Sequence, residues 1–96
     1  MEVVLKKPAQ KFIEKQPKNI IKKIDKVIKE IESIDTYDNF KKSNINYRKV
    51  ESKFYNRYQL YRIRIDTIRL IFHFKDDKLC IVIINAGNRG DIYKKL

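Results

Sequence analysis

Arginine alternates with apolar residues in the stretch from Tyr61 to Phe74. This period of two predicts β-strands that bury one face, and Asp66-Thr67 in the middle predicts a tight turn between two strands. With a two-residue loop, Arg64 lies directly opposite Arg69, and successive side chains alternate between the two faces. One face of this hairpin then carries the basic side chains of Arg62, Arg64, Arg69 and His73.

The arginine pairing predicts a site for a negatively charged ligand. Like charges directly opposite each other destabilise a sheet, and positions that break such a rule tend to be functional. The planar fork of arginine donates paired hydrogen bonds to phosphate, so a rigid arginine cluster suits a polyanion. The alternative is a solvated outer face, on which arginine is common. Asp-Thr is also not a preferred two-residue loop, and a three-residue loop would separate Arg64 from Arg69.

The overall charge also points to an anionic partner. The chain is short enough for one domain, residues 1–96. It carries 23 lysines and arginines and 12 acidic residues, which gives a net charge of +11. Such a field favours nucleic acid, an anionic membrane surface or an acidic protein. A lysine-rich genome is the alternative. However, residues 41–64 hold eight cations and one acid, and every arginine lies between Arg48 and Arg89.

Aromatic residues are interleaved with these cations between residues 35 and 56. Rings that stack on bases beside cations that hold phosphates favour contact with RNA. The alternative is that the rings anchor a loop to the core. The expected RNA-binding residues are Lys41, Lys42, Arg48, Lys49, Lys53 and Arg57, together with His73 of the hairpin.

Two helices are predicted in the first third of the chain. Residues 2–6 predict a short strand, and Pro8 suits the first turn of a helix that stops near Pro17. Residues 18–34 predict an amphipathic helix, because isoleucine and valine recur there at spacings of three and four. Such a stripe is typical of a helix packed on a sheet; a basic helix lying on a membrane is the alternative.

Strands dominate the second half of the sequence. Residues 35–56 lose periodicity and predict turns, whereas residues 57–65 and 68–75 predict the hairpin. Leu79 to Ala86 is apolar on both faces, which predicts a central strand or one whose second face is covered. The predicted fold class is α+β, with two N-terminal helices packed on a small, mainly antiparallel, twisted sheet.

Residue counts exclude several kinds of site. His73 is the one histidine and Cys80 the one cysteine, so neither a histidine-based zinc cluster nor an internal disulfide can form. The sequence has no glycine-rich phosphate loop and no apolar run of about 20 residues. A lone, buried cysteine suits a reducing cytoplasm. We therefore expect a cytoplasmic protein that uses no metal or small-molecule cofactor and has no membrane partner.

Three motifs resemble the RelE/ParE superfamily of bacterial and archaeal toxins. They are Tyr61-Arg62-Ile63-Arg64-Ile65, Ile68-Arg69-Leu70-Ile71-Phe72 and Ala86-Gly87-Asn88-Arg89-Gly90-Asp91-Ile92-Tyr93-Lys94. The order of a strand, two helices, a three-stranded meander and a short tail also fits, so the resemblance covers essentially the whole chain. It implies the RelE-like fold of microbial RNases.

RelE-like members are ribosome-dependent endoribonucleases that cut mRNA in the decoding site. The resemblance implies a catalytic set on the two long strands and the tail: Arg62, Arg64, Arg69, Arg89 and Tyr93. RNA supplies its own nucleophile, the 2′-hydroxyl, so the protein must position the attack on the adjacent phosphate and stabilise the phosphorane, without a metal. Family members often carry lysine at the first two positions, and histidine or lysine at the position of Asn88.

The resemblance also implies partners. A type II toxin of this kind would bind mRNA, the ribosome and a small acidic antitoxin, which would cover the sheet or displace the tail. Two alternatives stay open: a ParE-like toxin that inhibits DNA gyrase without catalysis, and an RNA-binding module without cleavage. The presence of Arg69, Arg89 and Tyr93 favours RNA cleavage, because the ParE-like branch generally lacks this full set.

Overall fold

The protein consists of a five-stranded mixed sheet with helices on one face. The computed structural model describes residues 1–52, 55 and 57–95, except the side chain of residue 95. The strands are β1 (Glu2–Leu5), β2 (Tyr47–Val50), β3 (Leu60–Ile65), β4 (Ile68–Lys75) and β5 (Cys80–Asn88). Their order is β1-β5-β4-β3-β2, and only β1 with β5 is parallel. The predicted α+β class with a mainly antiparallel sheet is confirmed.

The two predicted helices are present and pack on one face of the sheet. They are α1 (Lys7–Glu14) and α2 (Lys18–Ser33), the second ending one residue before the predicted end. Their buried side chains are Ala9, Ile24 and Ile31, which lie in one apolar core with the sheet. The isoleucine stripe of α2 is therefore a core face, as its spacing indicated.

Two short elements between residues 35 and 56 are absent from the sequence-based prediction. They are α3 (Tyr37–Lys42) and β2, where turns had been predicted, so the three-stranded meander gains an edge strand. Thr36 Oγ1 caps α3 by accepting a hydrogen bond from the backbone N–H of Asn39 (3.1 Å). An element of six or four residues is too short to show a hydrophobic period, which explains the wrong prediction.

Aromatic rings hold α3 against the sheet. The Phe40 ring is fully buried and lies 4.8 Å from the ring of Tyr47, 5.4 Å from Phe74 and 6.2 Å from Phe72. Phe40 and Tyr47 therefore anchor this segment to the core, which was the alternative to base stacking. The face of the sheet that carries α1, α2 and α3 is called the helix face below.

The hairpin has the register of a two-residue loop. Arg64 pairs with Arg69 and Ile65 with Ile68, as the alternation predicted. Asp66 makes the turn with a positive φ of 56°, a conformation that aspartate tolerates better than most residues. Lys23 of α2 binds this turn, with its Nζ 3.0 Å from Asp66 Oδ2.

The Lys23 ion pair makes the turn sensitive to pH. The hydrogen bond and charge of Lys23 lower the pKa of the Asp66 carboxyl below its ordinary value. A lowered carboxyl pKa means that the folded state favours the ionised form. The pair therefore stabilises the turn at neutral pH, and that contribution is lost as the pH falls through the lowered pKa.

We expect Phe40→Ala to lower the free energy of unfolding by about 3–5 kcal/mol, because truncation of a fully buried ring leaves a cavity. Urea unfolding followed by circular dichroism measures the change. Lys42→Ala, an exposed position on the same helix, is the control and should change stability by less than about 0.5 kcal/mol. Equal effects of the two variants would mean that α3 does not pack on the sheet.

Candidate nucleic-acid interface

The face of the sheet opposite the helices carries arginines from three adjacent strands. Tyr47 and Ile63 pack in the helix-face core, so by alternation the neighbouring Arg48 and Arg62 project to the other side. Arg48 pairs with Arg62 across β2 and β3, and Arg64 pairs with Arg69 across β3 and β4. We call the surface formed by Arg48, Arg62, Arg64 and Arg69 the arginine face.

Acidic side chains do not neutralise the arginine face. Among the described residues the ion pairs are Lys23–Asp66, Lys29–Asp25 and Lys41–Asp38, and none includes an arginine. The one side-chain partner within the described chain is Asn46, whose Oδ1 accepts a long hydrogen bond of 3.5 Å from Arg62 Nη1. Like charges therefore oppose each other twice without compensation, which an anionic ligand would relieve.

Arg69 is buried, although the hairpin pattern placed it on an open face beside Arg64. Only 5% of its surface is exposed, and its Nη1 donates hydrogen bonds to the backbone oxygens of Asp66 (3.0 Å) and Ile68 (3.1 Å). The Arg69 guanidinium thus stabilises the hairpin turn by binding two of its backbone carbonyl oxygens. Its Nε and Nη2 have no hydrogen-bond partner within the described residues.

A β-bulge brings the chain terminus onto the arginine face. Ile71 pairs with Asn85 and Phe72 with Ile83, so Ile84 is an extra residue in β5. The extra residue shifts the alternation, and Gly87 comes to lie opposite Arg69 on the arginine face. Without this shift, Gly87 would point toward the helix face, as Ile83 does.

The tail helix, a 3-10 turn at Ile92–Lys95, packs on this glycine. A Cβ on Gly87 would lie 3.1 Å from the Cβ of Ile92, closer than side chains normally approach. Ile92 is fully buried in a second apolar cluster with Leu60 and Ile71. The neighbouring Tyr93 of the tail helix remains 39% exposed.

Arg89 lies at the end of β5 next to the hairpin turn. Its backbone N–H donates to the Thr67 carbonyl oxygen (2.9 Å), and its side chain is exposed. Of the residues proposed as a catalytic set, Arg62, Arg64 and Arg69 share one face of β3 and β4. Arg89 directly follows β5 beside the hairpin turn, and Tyr93 belongs to the tail helix that packs on Gly87.

Three lysines of the predicted RNA-binding set lie elsewhere. Lys41 and Lys42 belong to α3, which packs on the helix face, and Lys41 forms an ion pair with Asp38 (3.2 Å). Lys49 pairs with Tyr61 and by alternation points toward the helix face. Lys53 lies outside the described residues. Sequence proximity had grouped these lysines with the arginines, but the sheet separates them.

His73 and Arg57 lie on the same side as the arginine face, farther from the hairpin turn. His73 is only 5% exposed, and the ring of Tyr58 is stacked on it at 4.0 Å with an angle of 2° between the planes. Its Nδ1 donates to the Phe74 carbonyl oxygen (3.0 Å). The imidazole is therefore covered, and any ligand would meet Tyr58 first.

Two kinds of feature are missing from the described part of the chain. No helix there is long and apolar enough to cross a membrane. No group of three or more histidine, cysteine, aspartate or glutamate side chains there is placed to hold a metal ion.

Sequence comparison identifies no relatives. No protein-family model matches this sequence, and no curated protein is significantly similar to it.

Solved structures with the same architecture do exist. A chain of the archaeal RelE–RelB complex from Pyrococcus horikoshii superposes with a TM-score of 0.69 at 21% identity, over 93% of this chain and 94% of that chain. A chain of the RelB–RelE antitoxin–toxin complex from Methanococcus jannaschii gives 0.66 at 22% identity, over 97% and 98%. A chain of the RelBE2 toxin–antitoxin complex from Mycobacterium tuberculosis gives 0.64 at 15% identity, over 92% and 96%.

These similarities extend over almost the full length of each chain. At such low identities they concern the fold and the order of its elements, which agree with the resemblance in the hairpin and tail motifs. The chain therefore has the RelE-like fold.

Proposed function

We propose that this protein is the toxin of a type II toxin–antitoxin system and that it cleaves mRNA on the ribosome. The observation that carries the proposal is the arginine face, whose guanidiniums oppose each other without an acidic partner among the described residues. The RelE-like fold and the solved complexes that share it support the toxin assignment.

The arginine face suits a ligand with several phosphates, such as RNA, better than a ligand with a single negative charge. Arg48, Arg62 and Arg64 lie on adjacent strands, so their guanidiniums can contact successive phosphates of one strand. Phosphate oxygens accept bidentate hydrogen bonds from arginine and remove the repulsion within the pairs. Because the sheet fixes the backbone positions of these residues, only their side chains must be ordered when the substrate binds.

The proposed reaction is a transesterification within RNA. The 2′-oxygen forms a bond to the adjacent phosphorus, and the bond from phosphorus to the 5′-oxygen of the next nucleotide breaks. The products are a 2′,3′-cyclic phosphate and a 5′-hydroxyl, so one proton leaves the 2′-hydroxyl and one reaches the departing oxygen. The protein would contribute alignment of the attack and stabilisation of the negative charge that develops on the phosphorane.

The arginines near the turn would stabilise that charge. Arg64 and Arg89 are exposed and can approach the scissile phosphate directly. Arg69 would act from just below the surface, because its Nη1 is bound to the turn whereas Nε and Nη2 have no partner among the described residues. One positioned donor of this kind is worth on the order of 100-fold in rate.

Proton transfer needs a different group. A guanidinium keeps its proton at neutral pH, so Arg62 and Arg64 are unsuited to act as the general base. Tyr93 is the exposed aromatic residue of the tail helix, which packs on the arginine-face side of the sheet. We assign Tyr93 to stacking on the scissile nucleotide or to proton transfer.

The proposed protein partner is a small acidic antitoxin. The net charge of +11 would steer such a partner to the toxin rapidly. Acidic side chains bound to the arginine face would compete with RNA for the same guanidiniums, which would inhibit the toxin by direct exclusion. The structural neighbours are themselves complexes of RelE with RelB.

We expect wild-type protein to cut a translated mRNA within codons, only in the presence of ribosomes, and Arg64→Ala and Arg89→Ala each to reduce cutting about 100-fold. Primer extension on mRNA from a cell-free translation reaction measures the cuts. These two arginines are preferred to Arg69, whose replacement would also release the turn carbonyls. Lys26→Ala, exposed on α2, is the control and should cut normally.

Absence of cuts with translation unimpaired would overturn the proposal. Inhibition of DNA gyrase by the same preparation would then support the ParE-like alternative. Salt-sensitive RNA binding without cleavage, even with ribosomes present, would support a binding module.

We expect Gly87→Val to reduce mRNA cutting at least 10-fold while the chain remains folded. The added side chain would collide with Ile92 and displace the tail helix, and with it Tyr93. Cutting is measured by primer extension, and folding by thermal unfolding followed by circular dichroism. Glu2→Val, at an exposed position of the edge strand β1, is the matched control and should cut normally. Normal cutting by Gly87→Val would mean that the position of the tail does not matter for the reaction.

A further inference from the structure

A second basic and aromatic surface lies on the arginine-face side of the sheet, at the end away from the hairpin turn. Tyr58 lies flat on His73, with ring centroids 4.0 Å apart, and is 41% exposed. Tyr55 lies beside both rings, with its centroid 6.2 Å from His73 and 6.4 Å from Tyr58. Contacts with His73 on one face and with Tyr55 at the side hold the exposed Tyr58 ring in one orientation.

Basic side chains surround this stack. A cleft of about 260 Å³ lies here, and its lining includes Lys6, Arg57 and Lys75 together with Tyr58 and His73. None of these three cations forms an ion pair within the described part of the chain. We call Tyr58, His73 and these three cations the Tyr58 platform.

The Tyr58 platform is separate from the proposed catalytic set. His73 is four residues along β4 from Arg69, which corresponds to about 13 Å of strand. Between them, Ile71 is covered by Ile92 in the second apolar cluster. Arg62 pairs with Ile71 and so lies closer to the platform than Arg69 does, and a continuous strand could contact both the platform and the arginines at the turn.

We propose that the Tyr58 platform is a second RNA-contact site, at which a base stacks on Tyr58 while Arg57 and Lys75 bind the flanking phosphates. This inference deepens the proposed function, on which it rests, by naming where the substrate strand is held outside the reaction centre. An aromatic face beside unpaired cations is the combination that binds single-stranded nucleic acid. An acidic protein segment would satisfy the cations but would leave the flat ring without a matching surface.

His73 gives the platform its rigidity. Because its ring is buried and its Nδ1 is held by the Phe74 carbonyl oxygen, it is a fixed base for Tyr58. A ring that is already oriented loses little conformational freedom when a nucleobase stacks on it. The platform thus favours stacking without selecting a sequence, since every base has an aromatic face.

The test measures the affinity of the full chain for a fluorescein-labelled, unstructured RNA oligonucleotide by fluorescence anisotropy. We expect Tyr58→Ala to weaken binding about 5- to 100-fold and Tyr58→Phe to bind within about twofold of wild type. Tyr58→Leu keeps apolar cover over His73 but offers no ring, so it should be as weak as Tyr58→Ala. Circular dichroism of each variant verifies folding.

Abasic RNA isolates the stacking contact. Wild type should bind an abasic oligonucleotide more weakly than the intact one, whereas Tyr58→Leu should bind both alike. Arg57→Gln should reduce the slope of log affinity against log salt by about 0.7, as for loss of one phosphate contact on a single strand. Lys26→Gln on α2 makes the same charge change away from the platform and should leave the slope unchanged.

Equal affinity of wild type and Tyr58→Leu for intact RNA would overturn the inference. The inference would also be overturned if Tyr58→Leu weakened the binding of a poly-glutamate peptide as much as it weakened the binding of RNA. The platform would then be assigned to an acidic protein segment. Failure of the proposed function is a separate result. If wild type cuts no mRNA but its RNA affinity still depends on Tyr58, the platform stands and the proposed reaction does not.

Discussion

The register between β3 and β4 is the constraint on which the rest of this structure depends. A slip of one residue would turn the arginines into the core and the isoleucines into solvent. The register is held at the turn, where Asp66 adopts a positive φ, Lys23 binds its carboxylate, and Arg69 donates to its carbonyl oxygen. Each of these contacts is weak by itself, but burial of the apolar side chains on the helix face favours the same register between β3 and β4.

The helix face makes an electrostatically unfavourable surface possible. Burial of residues such as Phe40, Ile24 and Leu70 against three helices stabilises the sheet from one side. The opposite side can therefore present Arg64 against Arg69 and Arg48 against Arg62 without unfolding. Folding thus places guanidiniums close to each other and without an acidic ion-pair partner among the described residues. An anion that binds there relieves the repulsion between them, which favours binding.

The β-bulge at Ile84 connects the sheet to the tail. By shifting the alternation in β5 it puts Gly87, the residue without a side chain, where Ile92 must approach. The same shift brings the tail helix onto the face that carries the arginines. One extra residue thus determines on which side of the sheet the tail helix, which carries Tyr93, packs.

The sequence by itself determined the hairpin and α2, because each has a local hydrophobic period. The apolar run of β5 predicted a strand, either central or covered on its second face, and only the structure showed its place between β1 and β4. The sequence also identified the arginines as a cluster. Only the tertiary structure decided that Arg69 and His73 are buried: Arg69 binds the backbone of the hairpin turn, and His73 is covered by Tyr58 from another segment of the chain. It likewise decided that the lysines of α3 lie on the opposite face. Periodicity reports which way a side chain points relative to its neighbours, whereas burial depends on which distant segment packs over it.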